Sequence, residues 1–238
     1  MWAIVPLKYF DNAKSRLSDV LSSTERQLLV RTMARDVLRA LAGCTYLNGI
    51  LINSRESEVS DLAKEFGAEV FVEPSGSDLS QSVTLAGVWL EQERSATGTL
   101  IVHADIPLAT SADFDALLKD HSGISLVPDD EGMGTNCIAA SPPNPIDYRY
   151  DGKSFKPHLD AAKKAGFEPR VCEIPGLQLD IDTAADLRKL LAATASAPPT
   201  ATPATSSEPQ SIQSIGETGT YLETSGIAQR LATPYSEE

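Results

Sequence analysis

Apolar and polar positions alternate along most of the chain with two different periods. From Leu29 to Leu41 an apolar residue recurs every four positions, which predicts one apolar helical face, and Ser22 and Glu25 precede it at the spacing of a capping box. Short apolar runs between such segments predict buried strands. The predicted strands are residues 3–5, 49–52, 69–72, 99–102, 124–127, 136–140 and 170–174. The remaining predicted helices are residues 57–66, 80–92, 112–119, 154–165 and 182–191.

This alternation of strands and helices predicts an α/β domain over residues 1–194, built on a mainly parallel sheet with helices on both faces. Ligands of such sheets bind at the carboxyl ends of the strands. The segments that follow strands 3–5 and 99–102 begin at such ends. They are therefore the first candidates for a functional site.

Residues 195–238 have a different composition. Ala, Pro, Ser and Thr dominate its first part, which is typical of a disordered linker. Further on, Ile227 and Leu231 lie one helical turn apart, so a short docking helix is one interpretation and a frayed tail is the other. Because apolar residues are few, the sequence favours a disordered tail.

The composition narrows the classes of function. The chain has 238 residues, a formal net charge of −13 and a pI near 4.7, which argues against a general binder of nucleic acids or anionic membranes. No apolar run reaches the roughly 20 residues that cross a bilayer, and the N-terminus lacks the pattern of a signal peptide. The three cysteines, Cys44, Cys137 and Cys172, are too scattered to predict disulfides or a zinc site. We therefore expect a cytoplasmic protein.

The loop after the first predicted strand carries three cations, Lys8, Lys14 and Arg16. Guanidinium and ammonium groups both bind phosphate oxygens. A cluster of positive charge in so acidic a chain predicts an anion-binding loop, although a solvated basic loop is an alternative.

Two acidic segments are candidates for a magnesium site. HADIPL places Asp105 just beyond the strand 99–102, and LDIDTAADL places Asp180 and Asp182 on one face of an extended segment. Carboxylates beside bound phosphates are typical ligands of Mg²⁺. Each also has an ordinary explanation, since Asp105 can cap a turn and Asp182 can cap a helix.

Two further segments carry groups suited to a small anion. GMGTNC brings glycines and the hydroxyl of Thr135 to the start of a strand, where backbone amides can approach an anion closely, although an ordinary turn has the same composition. SFKPH places Ser154 and His158 at the start of a helix, whose dipole favours anions. The sequence shows no recognisable pattern of a Ser-His-Asp or Cys-His site, so it predicts no covalent nucleophile.

Together these segments resemble the phospho-hydroxyacid guanylyltransferases of deazaflavin cofactor (coenzyme F-420) biosynthesis. PLKYFDNAKSRLS is similar to the PLKxxxxAKSRL of that family, HADIPL to its ADLPL, and LDIDTAADL to its LDVDTPEDL. A GTN segment and a serine-phenylalanine segment with a later histidine lie between them in the same order. The resemblance extends over about residues 1–193.

The resemblance implies a nucleotidyltransferase fold, GT-A-like, with a doubly wound mixed sheet. It also implies magnesium-dependent transfer of GMP from GTP to the phosphate of 2-phospho-L-lactate, phosphoenolpyruvate or 3-phospho-D-glycerate, with release of pyrophosphate. A downstream deazaflavin transferase and a homodimer are further expectations. By motif, the GTP phosphates would be bound by Lys8, Lys14 and Arg16, and the metal by Asp105, Asp182 and Asp180. The acceptor would be bound by Thr135, Gly152 and Ser154. The residues with a catalytic role would be Lys14, Arg16 and Asp105.

Two segments depart from the family pattern. YDGKS stands where members have YGxGS, so Asp151 and Lys153 replace glycines and Gly152 is left to supply a backbone amide. DLSQS stands where members have a leucine-asparagine pair, which makes Ser80 the candidate contact to the base. Two alternatives stay open. One is another nucleotidyltransferase, of the sugar-phosphate or molybdopterin type, and the other is an inactive nucleotide-binding protein that acts through its tail.

Overall fold

A computed structural model describes residues 1–7, 14–195 and 216–232 of the chain. The strands are β1 (Trp2–Pro6), β2 (Gly49–Ser54), β3 (Glu69–Val72), β4 (Thr99–Val102), β5 (Ile124–Pro128), β6 (Thr135–Ala140) and β7 (Arg170–Val171). The helices are α1 (Ser23–Ala42), α2 (Val59–Phe66), α3 (Leu79–Arg94), α4 (Ser111–Leu118), α5 (Phe155–Lys164), α6 (Pro175–Gln178), α7 (Ala184–Ala195), α8 (Glu217–Thr224) and α9 (Ile227–Ala232), and a 3-10 turn covers Ser15–Leu17.

All seven strands form one sheet, in the order β3-β2-β1-β4-β6-β5-β7. Strand β6 runs antiparallel to β4 and β5, and the other neighbouring pairs are parallel. The predicted doubly wound mixed sheet is therefore confirmed. Because β1 and β4 are parallel neighbours, their carboxyl ends at Pro6 and Val102 lie at one edge of the sheet, where β6 begins with Thr135.

Alternate side chains of the strands enter two apolar layers, as the pleat of a strand requires. Val5 belongs to the layer that contains buried residues of α1, α2 and α4, and Ile4 belongs to the layer under α3 and α5. The predicted capping box opens α1: Ser22 Oγ accepts the N–H of Glu25 at 3.3 Å, and the Glu25 carboxylate accepts the N–H of Ser22 at 2.8 Å. The local signals and the tertiary packing agree in this half of the molecule.

Several element boundaries differ from the sequence prediction, and two of them lie close to the acidic segment of Asp180 and Asp182. The strand predicted over residues 170–174 ends at Val171, because only Arg170 and Val171 pair with β5. The helix predicted from Asp182 begins at Ala184, because Thr183 and Asp186 form the hydrogen-bonded start of α7 instead. Asp182 is thereby left outside the helix, with its side chain available to the site.

The C-terminal residues that the structure describes are helical, so the prediction of a frayed tail is wrong for residues 216–232. Leu222, Ile227 and Leu231 are buried in a cluster with residues of α1 and α7. The Asp36 carboxylate accepts the first backbone N–H groups of α8, from Glu217 at 2.8 Å and from the next residue at 2.9 Å. Of the linker and tail predicted over residues 195–238, residues 196–215 and 233–238 lie outside the described ranges. None of the described helices is long and apolar enough to cross a bilayer.

Candidate active site

A cleft of about 630 Å³ opens at the edge of the sheet where β1, β4 and β6 meet. Of the residues that the sequence predicts for the site, the cleft is lined by Lys14, Arg16, Asp105, Thr135, Gly152, Ser154, Asp180 and Asp182. Lys8 lies outside the described residues. Ser80 is beside the cleft rather than in its wall, and its Oγ accepts the backbone N–H of Tyr150 at 3.2 Å. The structure therefore brings together segments that are far apart in the sequence.

Lys14 is the central cation of the cleft. Its Nζ donates to Asp105 Oδ2 at 2.5 Å and to Asp182 Oδ1 at 2.6 Å. The backbone of Lys14 is left-handed, with φ 53° and ψ 47°, directly before the 3-10 turn. Burial lowers the pKa of Lys14, but the two carboxylates raise it further, so the net pKa lies above its ordinary value. Lys14 therefore stays charged and joins the opening loop to both acidic segments.

The carboxylates of the cleft occupy two different electrostatic environments. Burial raises the pKa of Asp105, but the ammonium of Lys14 outweighs it and the net pKa is lowered. The pKa of Asp180 is instead raised to about 6, by burial and by the negative charges of Asp105 and Asp182. One acid is thus held ionised by a cation, and another is crowded by like charges.

Arg16 stands at the rim of the cleft. Its guanidinium lies 3.8 Å from Asp182 Oδ2, and its side chain is 74% exposed. A long exposed side chain has many conformations, so Arg16 can reach a bound anion with little rearrangement. This placement differs from that of Lys14, whose side chain is 11% exposed.

At the other end of the cleft, the neutral side chains of Thr135, Ser154 and His158 are hydrogen-bonded to one another. Ser154 Oγ donates to Thr135 Oγ1 at 3.2 Å, and Nδ1 of His158 lies 3.0 Å from the same Thr135 oxygen. The imidazole Nε2 of His158 accepts the backbone N–H of Arg149 at 2.9 Å. Gly152 has a φ of 85°, which a residue with a side chain rarely adopts, so this turn requires glycine.

Asn136 is a site residue that sequence reasoning missed. It is buried, and its Nδ2 donates to the backbone carbonyls of Leu177 and Gln178 at 3.1 and 2.8 Å. The same nitrogen lies 3.4 Å from Asp180 Oδ1. It therefore fixes the segment that carries Asp180 against β6. The only sequence signal was its place in the GTN segment.

The donors around Lys14 fit a magnesium ion that shares its shell with phosphates. Among the described residues, no three side chains of His, Cys, Asp and Glu are grouped closely enough to hold an ion by themselves. Mg²⁺ commonly takes only one or two protein carboxylates and completes its shell with water and substrate phosphates. Asp105 and Asp182 already direct one oxygen each at a common cation, the Lys14 ammonium, and Asp105 Oδ1 is buried without a hydrogen-bond partner.

The chain shares its fold with solved nucleotidyltransferases. A nucleotidyl transferase from Methanothermobacter thermautotroptrophicus has the same fold, with a TM-score of 0.56 at 16% identity over 79% of this chain and 94% of that one. A protein described as a nucleotide-diphospho-sugar transferase from Desulfovibrio desulfuricans aligns with a TM-score of 0.72 at 17% identity over 96% of this chain and 97% of that one. At this level of identity the likeness concerns the fold alone.

Sequence relatives identify the family within that class. A profile described as "Guanylyl transferase CofC like" matches residues 1–196. A phosphoenolpyruvate guanylyltransferase from Sphaerobacter thermophilus is 36% identical over 190 residues, which are 79% of this chain and 91% of the relative. A 2-phospho-L-lactate guanylyltransferase from Methanocaldococcus fervens is 32% identical over 192 residues, or 80% of this chain and 84% of the relative. The chain belongs to the CofC-like guanylyltransferase family.

Proposed function

We propose that the protein transfers GMP from GTP to the phosphate of a small phosphorylated acid and releases pyrophosphate, in the biosynthesis of coenzyme F-420. The relatives named for phosphoenolpyruvate and for 2-phospho-L-lactate supply the first two candidate acceptors, and 3-phospho-D-glycerate is a third. The observation that carries the proposal is the Lys14 ammonium held between Asp105 and Asp182 in the cleft of a chain of this family.

In the proposed reaction, an oxygen of the acceptor phosphate attacks the α-phosphorus of GTP. A new oxygen–phosphorus bond forms there, the bond from the α-phosphorus to the bridging oxygen of the β-phosphate breaks, and pyrophosphate leaves with that electron pair. The attacking phosphate is already ionised at neutral pH, so no general base is needed. The protein then acts by positioning the two substrates and by neutralising their charge.

We assign the nucleotide phosphates to the end of the cleft that carries Lys14, Asp105 and Asp182, called here the charged end. Lys14 is charged, largely buried and close to the carboxyl ends of β1 and β4, and Arg16 reaches the same region from the rim. Lys8, which the family motif adds to this set, lies outside the described residues. Ser80 stays a candidate contact to the base, although its hydroxyl accepts the N–H of Tyr150.

Asp105 and Asp182, with Asp180 behind them, would hold magnesium at this end. Bound there with the triphosphate, the ion would neutralise charge that develops on the α-phosphate and on the leaving pyrophosphate. Because Lys14 bridges the same two carboxylates, its ammonium is the counter-charge that keeps them paired and oriented while no ion lies between them.

We assign the acceptor to the end of the cleft that carries Thr135, Gly152 and Ser154, called here the neutral end. The hydroxyls of Thr135 and Ser154 are hydrogen-bond donors suited to a phosphate or carboxylate oxygen, and the turn at Gly152 brings backbone close to them. Family membership does not favour a sugar-phosphate or molybdopterin type of transferase, and the intact Lys14 cluster does not favour an inactive protein. The cytoplasmic location, a homodimer and a downstream deazaflavin transferase that receives the product complete the proposal.

The test is pyrophosphate release by the purified chain with magnesium and GTP, offered each acceptor in turn. The downstream deazaflavin substrate and its transferase should be present to trap an unstable product. We expect release with one acceptor and with GTP but not ATP, and none from an Asp105→Asn preparation, which controls for contaminating enzymes. No release with any of the three acceptors, from protein that binds GTP, would overturn the proposal.

A further inference from the structure

His158 lies behind the neutral end of the cleft and does not reach the cleft itself. It is fully buried at the start of α5, where it bonds to Arg149 on one side and Thr135 on the other. A backbone N–H can only donate, so Nε2 of His158 must accept from Arg149 and carries no proton. The proton of the neutral ring is therefore on Nδ1, and Nδ1–H donates to Thr135 Oγ1.

This direction determines what the two hydroxyls can do. Thr135 and Ser154 have one hydroxyl proton each, and the 3.2 Å bond between them uses one of the two. Thr135 Oγ1 cannot donate to His158, because a protonated Nδ1 has no lone pair with which to accept a hydrogen bond. Whichever hydroxyl donates within the pair, the other proton is left over, and among the described residues neither hydroxyl makes a further hydrogen bond. Both residues line the cleft, so the remaining proton is available to a ligand there.

We propose that His158 is a positioning residue that fixes the hydroxyls of Thr135 and Ser154 so that one of them always donates into the cleft, to an anionic oxygen of the acceptor. The inference rests on the proposed function for the identity of the acceptor. A pair of hydroxyls without this partner could turn and present an acceptor instead, which would weaken its preference for ionised groups. His158 thus gives the subsite a preference for carboxylate or phosphate oxygens over N–H donors.

The surroundings of His158 keep its ring neutral and immobile. Burial is the main cause of its low pKa, which lies at about 4; the nearby His103 lowers the pKa further, and the carboxylate of Asp151 opposes this by less. Tyr148 and Tyr150 pack against the ring edge to face, with centroids 6.3 and 5.2 Å from its own. A neutral ring held in this way keeps the same hydrogen-bond direction throughout the range in which an ordinary histidine titrates, from about pH 5 to pH 8.

The first test reads the tautomer directly and needs no turnover. Ring-nitrogen NMR shifts of His158 in the wild-type chain should show a protonated Nδ1 and a bare Nε2, unchanged from about pH 5 to about pH 8. The Nδ1–H signal should shift when phosphoenolpyruvate is added and should not shift with GTP alone. A proton on Nε2, or titration near the ordinary histidine pKa, would overturn the inference even if the enzyme is active.

The second test separates positioning from structural support. His158→Phe keeps the volume of the ring but removes the donor, and we expect KM for the acceptor to rise about tenfold, the size of one lost hydrogen bond, with KM for GTP unchanged. His158→Asn retains a short side chain with an N–H that can reach Thr135, and we expect it to recover most of that loss. Equal losses in the two variants, or equal changes in the KM of both substrates, would show a structural role only.

The chain offers a matched control in His121. This histidine also bonds to two hydroxyls, Ser125 Oγ at 2.9 Å and Ser141 Oγ at 3.2 Å, and it does not line the cleft. His121→Phe should leave the KM of both substrates unchanged. If His121→Phe raised the acceptor KM as much as His158→Phe does, the effect would reflect general loss of packing and the inference would fail. A wild-type chain that releases no pyrophosphate would refute the proposed function, while the NMR result still decides the role of His158.

Discussion

At the β1–β4 end of the cleft, charge holds the functional groups in place, because Lys14 bridges Asp105 and Asp182. At the β6–α5 end, hydrogen bonds between neutral groups hold Thr135 and Ser154, with no ion pair between them. An ion pair can exchange its partner when a phosphate or a metal enters, whereas a network of neutral bonds is most useful when it stays as it is. We therefore expect the contacts of Lys14 to rearrange when substrates bind and the pair of Thr135 and Ser154 to stay in place.

The largest effect should follow from removing the carboxylate that serves the charged end. In Asp105→Asn an amide cannot supply negative charge to Lys14 or to a metal, so we expect kcat to fall on the order of 10³-fold, with the fold retained. Pyrophosphate release and circular dichroism would measure the two effects. Asp115→Asn is the matched control, because that carboxylate bonds to the N–H of Thr45 at 2.8 Å and does not line the cleft. A folded Asp105→Asn enzyme with normal turnover would refute a catalytic role for Asp105.

Removing the bridging cation should have the next largest effect. Lys14→Met keeps much of the side-chain volume but leaves Asp105 and Asp182 facing each other without a counter-charge, so we expect kcat/KM for GTP to fall on the order of 10²-fold. Steady-state kinetics with each substrate varied would measure it. The exposed lysine of α2 provides the control variant Lys64→Met. A change confined to the KM of the acceptor would show that Lys14 serves the acceptor rather than GTP.

The lowered pKa of His158 should make the free energy of unfolding depend on pH. The folded pKa of His158 is about 4 and an unfolded histidine has a pKa near 6.5, so the folded chain binds fewer protons between these values and loses stability as the pH falls through them. His158 should contribute roughly 2 to 3 kcal/mol to this loss. Urea unfolding at several pH values should show a flatter curve for His158→Asn than for the wild type.

Two other histidines contribute to the pH dependence of both the wild type and His158→Asn. The pKa values of His103 and His121 are also lowered by burial, so both the wild type and His158→Asn should still lose some stability in acid. Only the difference between the two curves reports on His158. Parallel curves would mean that the ring is protonated as readily in the folded chain as in the unfolded one, against a neutral donor at that end.

The smallest effect should follow from removing the guanidinium of Arg16. Its side chain is 74% exposed and lies 3.8 Å from Asp182, and exposed ion pairs of this kind contribute little to stability. Arg16→Ala should raise KM for GTP by about threefold at low salt and by less at high salt, with stability unchanged. A salt-independent loss comparable to that of Lys14→Met would show that Arg16 belongs with the buried cation.

The charged end could be predicted from the sequence because its parts follow from topology. A buried strand that ends before a loop with Lys14 and another that ends before Asp105 must place these groups at one edge if the strands are parallel neighbours. The contact of Lys14 with both carboxylates could not be predicted in the same way. It depends on the left-handed backbone of Lys14, which a non-glycine residue adopts only when its surroundings require it.

The neutral end and the tail were harder to predict, for different reasons. The tautomer of His158 is set by the backbone N–H of Arg149, which donates to Nε2. The sequence does not show that the loop with Arg149 lies beside the start of α5. Helices α8 and α9 have eight and six residues, too short for a periodic pattern to be distinguished from chance. Their stability comes from burial in a cluster of distant residues, which the local sequence does not show.

The 3-10 turn that follows Lys14 packs against helices α8 and α9. Leu17, one turn beyond Lys14, lies in the same apolar cluster as Ile181, Leu222 and Leu231. Helices α8 and α9 follow every described strand in the chain, so the sheet can form during synthesis before these two helices exist. The turn after Lys14 gains the packing of Leu17 against them only later, when α8 and α9 have been added.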